Sequence, residues 1–249
     1  MRIVQKIEDI DYTETKHFFK NRADKFKEDN PYAVTMYQDD HPELVRERNQ
    51  KEIEKLKPML AINKKTKLLD IACGIGRWAD AITEEIEEYC GIDFSSELIK
   101  IANERNRREN FFFYEGAATD IASVLAAQKR ETYNTVLLIG ILMYINDKDL
   151  NCFLEQLESI CDEQAKICIR EPIGLKDRLT LKDFYSNELN DEYHAIYRTR
   201  NELMKFINNS LISKGFSIEK EGFLFEEDGL NNRKETAQYF FILERQQYV

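Results

Sequence analysis

A short apolar run from Lys67 to Ala72 breaks at Cys73-Gly74-Ile75-Gly76 and resumes as the helix-forming Arg77-Trp78-Ala79. This stretch constrains the chain more than any other. A strand that turns through paired glycines into a helix brings bare backbone close to a ligand, because glycine tolerates φ > 0 and has no Cβ in the way. The spacing Gly74-x-Gly76-x-x-Ala79 fits the loose fingerprint of a dinucleotide turn. Asp70 argues otherwise. It ends the strand just before the turn, where its charge would repel a pyrophosphate. A ligand with cationic groups and no phosphate suits that position better.

From Lys67 onward, short apolar runs alternate with helix-like stretches. The runs are 67–72, 89–93, 111–114, 135–139 and 166–170. The helical stretches fall near 77–87, 95–108, 119–129 and 147–161. This alternation predicts an α/β fold, doubly wound, with a mostly parallel sheet and helices on both faces. After a helix near 199–213, runs at 216–225 and 235–243 follow with no helix between them, so they should pair as an antiparallel hairpin. Residues 1–62 are charged and read as helical. Phe18, Phe19, Ala23 and Phe26 recur at helical spacing, and Leu44, Arg48, Lys51 and Lys55 read as a polar face. The expected division is a helical cap over 1–62 and a ligand-binding domain over 63–249, a size that suits one α/β domain with an appendage.

Composition narrows the partners. Lys plus Arg number 36 against 46 Asp plus Glu, a formal charge of −10. Nucleic-acid binders draw affinity from basic surfaces, so no nucleic acid is expected. Five cysteines without a C-x-x-C pair indicate neither a disulfide framework nor a zinc site, and no metal is expected. The first residues lack the apolar core of a signal peptide, and no run approaches a membrane span. A cytoplasmic protein with no membrane partner is the expectation.

Asp93 ends the second strand, nineteen residues past Gly74, in Gly91-Ile92-Asp93-Phe94-Ser95. An acid there can accept from ribose hydroxyls, and Ser95 or Ser96 reads as the N-cap of the next helix. Together with Asp70 it points to S-adenosylmethionine, which carries an ammonium and a sulfonium. Leu69-Asp-Ile-Ala-Cys-Gly-Ile-Gly-Arg77 followed by Gly91-Ile-Asp-Phe-Ser95 resembles the first two motifs of class I S-adenosylmethionine-dependent methyltransferases, over roughly residues 64–245. The resemblance implies a seven-stranded Rossmann-like sheet with an antiparallel last strand. It gives Asp70, Gly74 and Gly76 the methionine part of the cofactor, Asp93 the ribose, and Phe94 the adenine. Two positions depart from the family pattern. Ala117, followed by Ala118, stands where an acid meets the adenine amino group, and Asn134 stands where an aspartate is usual.

Ligands of open α/β sheets bind beyond the carboxyl ends of the strands. Gly140 to Asn146 and Arg170 to Gly174 emerge there. Residues 175–198 form a long connection that reads as a substrate lid. Methyl transfer needs an aligned nucleophile and a route for its proton. Glu171 is the first expected base and His194 the second. Tyr144 is expected to orient the acceptor, Arg198 to hold an anionic group, and Tyr197 to lie beside it. By likeness to capped methyltransferases, Tyr32 and Tyr37 are expected to contact acceptor and cofactor. Gly140-Ile-Leu-Met-Tyr144 lacks the Asn/Asp-Pro-Pro-Tyr pattern of amide and adenine methylation. The expected acceptor is therefore a small polar metabolite. Oxygen is favoured over nitrogen, and a faint likeness in the cap and Tyr197-Arg-Thr199 points to a sugar or phosphorylated precursor of surface glycans. A non-catalytic cofactor-binding subunit and a nicotinamide oxidoreductase are the competing readings.

Overall fold

The computed structural model describes residues 1–187 and 189–245. Its centre is a seven-stranded sheet. The strands β2 (Lys67–Ile71), β3 (Glu88–Asp93), β4 (Phe111–Glu115), β5 (Tyr133–Ile139) and β6 (Cys161–Gly174) are parallel. With β9 (Phe216–Phe223) and β10 (Thr236–Arg245) the spatial order is β4-β3-β2-β5-β6-β10-β9. β10 runs antiparallel to both β6 and β9, as the terminal hairpin predicted. The near-continuous apolar runs of the central strands follow from burial on both faces. Leu69, Val136 and Ile167 meet α6 (Ile121–Ala127), α7 (Asp147–Ile160) and α8 (Arg200–Ser210) on one side. Leu68, Leu137 and Cys168 meet α3 (Pro42–Leu56), α4 (Arg77–Ala81) and α5 (Ser96–Arg105) on the other. The fold is thus Rossmann-like and doubly wound. The strand order reverses between β2 and β5, and the crevice at that switch point is where such sheets bind ligands.

The cap departs from the sequence reading in three ways. First, it is not wholly helical. β1 (Arg2–Val4) precedes α1 (Tyr12–Asp24) and the short α2 (Ala33–Met36), and it pairs with residues 179–181. Second, residues 175–198 are not an irregular connection. They form a hairpin of β7 (Leu179–Ser186) and β8 (Asp191–Tyr197), which completes a three-stranded antiparallel sheet with β1. Third, Arg48 is not on a solvated face. α3 buries Val45, Arg48, Glu52 and Leu56, so its inward stripe mixes apolar and charged residues. Charge concealed the stripe from a hydrophobic pattern. No helix among the described residues is long and apolar enough to cross a membrane.

Candidate active site

The glycine turn after β2 forms one wall of a cavity at the switch point. Gly74 has φ +56°, and a Cβ there would come within 2.7 Å of Thr35 Cγ2. Gly76, at φ +77°, starts α4, and a Cβ would strike Asn106 and Phe113. The first glycine lets the cap lie on the turn; the second lets helix and sheet close up. Asp93 braces the turn from β3. Its carboxylate accepts from Gly74 N and Ser95 N, both at 2.9 Å, while remaining part of the cavity lining. Burial raises its pKa to about 6 although both amides favour the charged form. Asp70 lies deeper, in a small neighbouring cavity with Arg77 and Arg170, and Tyr89 donates to it at 2.5 Å. Burial outweighs that bond and raises Asp70 to about 7.

A second wall is aromatic. The hydroxyls of Tyr37 and Tyr144 lie 2.5 Å apart, and those of Tyr144 and Tyr193 2.8 Å apart. Phe19 meets Phe94 and Tyr144 edge-on, the arrangement ring quadrupoles prefer. Tyr37 has a backbone (φ 65°, ψ −158°) that only glycine adopts freely. Arg22 anchors this stretch. It donates to the Ala33 and Val34 carbonyls and forms a two-pronged pair with Asp39. Burial pushes the Tyr37 hydroxyl up to about 12 and raises those of Tyr144 and Tyr193 well above the ordinary tyrosine value.

The third wall is polar and comes from distant parts of the chain. Glu52 of α3 sits at its hub, 1% exposed. One carboxylate oxygen meets Arg77 Nη2 at 2.5 Å and Trp78 Nε1 at 3.1 Å; the other meets Arg170 Nε at 2.8 Å. Burial works against the Glu52 charge, but Arg170 and Arg77 outweigh it and lower the pKa. Arg48, Asn231, Asn232, Thr236 and Gln238 complete this wall. None of these residues was singled out in the sequence as a site residue. Arg48 and Glu52, four apart on a helix, carried the only local signal.

A family model described as a methyltransferase domain matches residues 62–228, from the end of the cap to β9 and beyond. The chain belongs to the class I S-adenosylmethionine-dependent methyltransferases. No curated protein matches it. Solved structures share the fold at low identity. A S-adenosylmethionine-dependent methyltransferase from Leishmania major is 13% identical with a TM-score of 0.63, covering 90% of this chain and 82% of that one. The N-methyltransferase NodS from Bradyrhizobium japonicum, in complex with S-adenosylhomocysteine, is 10% identical with a TM-score of 0.61, covering 94% and 100%. The magnesium protoporphyrin IX methyltransferase of Synechocystis, with bound S-adenosylmethionine, is 13% identical with a TM-score of 0.59, covering 94% of each.

The cofactor of this methyltransferase is S-adenosylmethionine, and the first wall has the chemistry to receive it. Gly74 leaves bare backbone at the turn, Asp93 presents an acid and Phe94 an apolar ring, all within one cavity. Tyr37, Gly140, Tyr144 and Tyr197 line that cavity too. Other expected site residues lie elsewhere. Gly76 packs behind the turn, and Ala117 and Ala118 lie outside the lining. Tyr32 donates to Asp80.

Three polar residues expected to serve the acceptor are engaged in holding the fold. Glu171 accepts from the backbone amides of Ile141, Leu142 and Met143, capping the turn that carries Tyr144. Burial raises its pKa to about 7 against the pull of those amides. Arg198 is 1% exposed, paired with Asp147 and bonded to the carbonyls of Leu142 and Ile145. His194 is buried on the β7–β8 hairpin, accepting from Asp183 N at 3.4 Å, outside the cavity lining. Asn134 likewise ties strands together, through Lys67 N and Lys65 O.

Proposed function

We propose that this methyltransferase acts on a small polar acceptor whose nucleophile is an amine or an acidic hydroxyl. The observation that carries this is the division of the cavity. Asp93 and the glycine turn, the Arg170–Gln238 group and the tyrosines all line this one cavity. The lining residues Asp93, Tyr144, Tyr193 and Tyr197 are all at most 8% exposed, which favours a compact acceptor over a folded macromolecule.

Bound S-adenosylmethionine supplies an electrophilic methyl group with its leaving group already activated. The protein's task is then alignment and control of a proton. Asp93 and the Gly74 amide orient the cofactor side. The linked hydroxyls of Tyr37, Tyr144 and Tyr193 offer the acceptor hydrogen-bond partners. They are poor bases, since burial raises all three. Among the described residues lining the cavity, the carboxylates are Asp93, held by two amides, and Glu52, held by two guanidiniums. An unactivated alcohol would need a stronger base than these. An amine with a pKa of about 10 loses its proton to water often enough to react. This reading moves the preference from a sugar hydroxyl toward nitrogen.

Methyl-labelled S-adenosylmethionine, purified protein and fractionated extract test it. Label should enter the small polar pool. Label entering only protein or nucleic acid would exclude the acceptor class.

A further inference from the structure

The polar wall contains a positive charge that its neighbours do not balance. Glu52 carries one negative charge and faces two guanidiniums, Arg77 at 2.5 Å and Arg170 at 2.8 Å. Asp70 shares a small cavity with both arginines but accepts from Tyr89, and Glu171, next to Arg170 in the chain, is turned to the amides of Ile141, Leu142 and Met143. Asp93 is turned to the amides of Gly74 and Ser95. Of the two guanidiniums, Arg77 donates to Asn49 and Glu52 and stands outside the main cavity. Arg170 lines the main cavity.

A guanidinium has five N–H donors in a planar fork. Arg170 places Nε against Glu52 and spends one Nη1 proton on Gln238 Oε1, at a long 3.2 Å. The plane lies on Gly140, where a Cβ would stand 3.1 Å from Nη1. Glycine at this point, with φ +74°, therefore leaves the fork room at the end of β5. Gln238, Asn231 and Asn232 surround the same space with amides that can donate without adding charge. A largely buried guanidinium that lines the cavity and is braced by a carboxylate is a receptor for an anion, since a bidentate partner would satisfy both charge and geometry.

We propose that Arg170, positioned by Glu52 and flanked by Gln238, forms an anion subsite for one carboxylate or phosphate group. The proposal rests on the methyltransferase reading of the cavity and adds the chemistry of what is held there. Such an anion has two available sources, an acidic group on the acceptor or the amino-acid carboxylate of the cofactor. The anion-holding role expected of Arg198 thus passes to Arg170 of β6.

The test titrates inorganic phosphate into the full chain, first alone and then saturated with S-adenosylhomocysteine, at ionic strength fixed with chloride to screen diffuse attraction. Saturable binding is expected. Arg170→Gln should weaken it by about tenfold or more, the scale of one charge-assisted contact. Gln238→Glu, which leaves Arg170 intact but sets a carboxylate against Nη1, should weaken it as much and covers the case in which Arg170→Gln does not fold. If S-adenosylhomocysteine affinity is unchanged in Arg170→Gln, the anion belongs to the acceptor. If phosphate and S-adenosylhomocysteine compete and the variant loses both, the subsite holds the cofactor carboxylate. Absence of saturable phosphate binding in wild type, or wild-type phosphate affinity in the folded variants, would overturn the subsite. Failure of wild type to bind S-adenosylhomocysteine would instead remove the methyltransferase reading beneath it.

Discussion

The two sides of the cavity are built on opposite plans. The cofactor side is continuous in sequence. Residues 70–76 and 91–95 supply the turn, its bracing acid and its helix cap, and neighbouring parallel strands bring them together. The polar side is assembled. Glu52 comes from α3, Arg170 from β6 and Gln238 from β10, three elements spread over most of the chain. A turn made of backbone can be written as a short motif. A wall made of side chains exists only after the fold has closed. The glycine-turn side therefore carries the family's motif, whereas the assembled side carries none that the sequence shows.

The sharpest way to break this comparison is to damage each side at its hub. Glu52→Gln leaves two guanidiniums buried without their counter-charge, a change that costs about 3 kcal/mol or more in comparable sites. The denaturation midpoint should fall accordingly. An unchanged midpoint would mean that the polar wall is not held by this carboxylate. Asp93→Ala should act mainly on binding. It removes the acceptor of two buried amides at the turn, and S-adenosylhomocysteine affinity by calorimetry should drop by about a hundredfold. A variant that still binds tightly would detach Asp93 from the cofactor.

A smaller effect separates scaffold from chemistry. Glu171 has its carboxyl raised from 4.5 to about 7, burial being the main cause. A raised carboxyl pKa means the folded state holds the proton longer, so its contribution declines as pH rises through that interval and levels off above it. Compared with Glu171→Gln, the wild type should lose melting temperature between about pH 4.5 and about pH 7. Parallel melting curves across this window would show that Glu171 is not the buried group described. The smallest effect belongs to His194→Gln. Turnover should stay within about twofold, because the imidazole lies outside the cavity and hydrogen-bond losses at a distance are local. A large fall in kcat with the fold intact would restore His194 to the chemistry.

How much could be read from the chain follows the same division. Strands β2 to β6 were legible because parallel strands buried on both faces appear as unbroken apolar runs. Asp70, Gly74 and Asp93 were legible because backbone conformation and charge are fixed locally at a turn. β7 and β8 were not, since an alternating hairpin inserted between a strand and a helix looks like a long loop. Arg48 and Glu52 escaped because a buried charged stripe on a helix has the spacing of a solvated one; only Arg77 and Arg170, far away in sequence, reveal the difference. Glu171 and Arg198 showed the converse problem. Their positions at strand ends suggested chemistry, but three amides and a pair of carbonyls claim them, and no local pattern announces those partners.

Glu52 also has a bearing on how the molecule comes together. It is the counter-charge of the sheet domain's Arg77 and Arg170, yet it belongs to the cap. A chain segment starting after the cap would carry both cations at its crevice without the Glu52 carboxylate that pairs them. Docking of α3 thereby completes the crevice, and the two parts are expected to share a single unfolding transition rather than to melt as separate bodies.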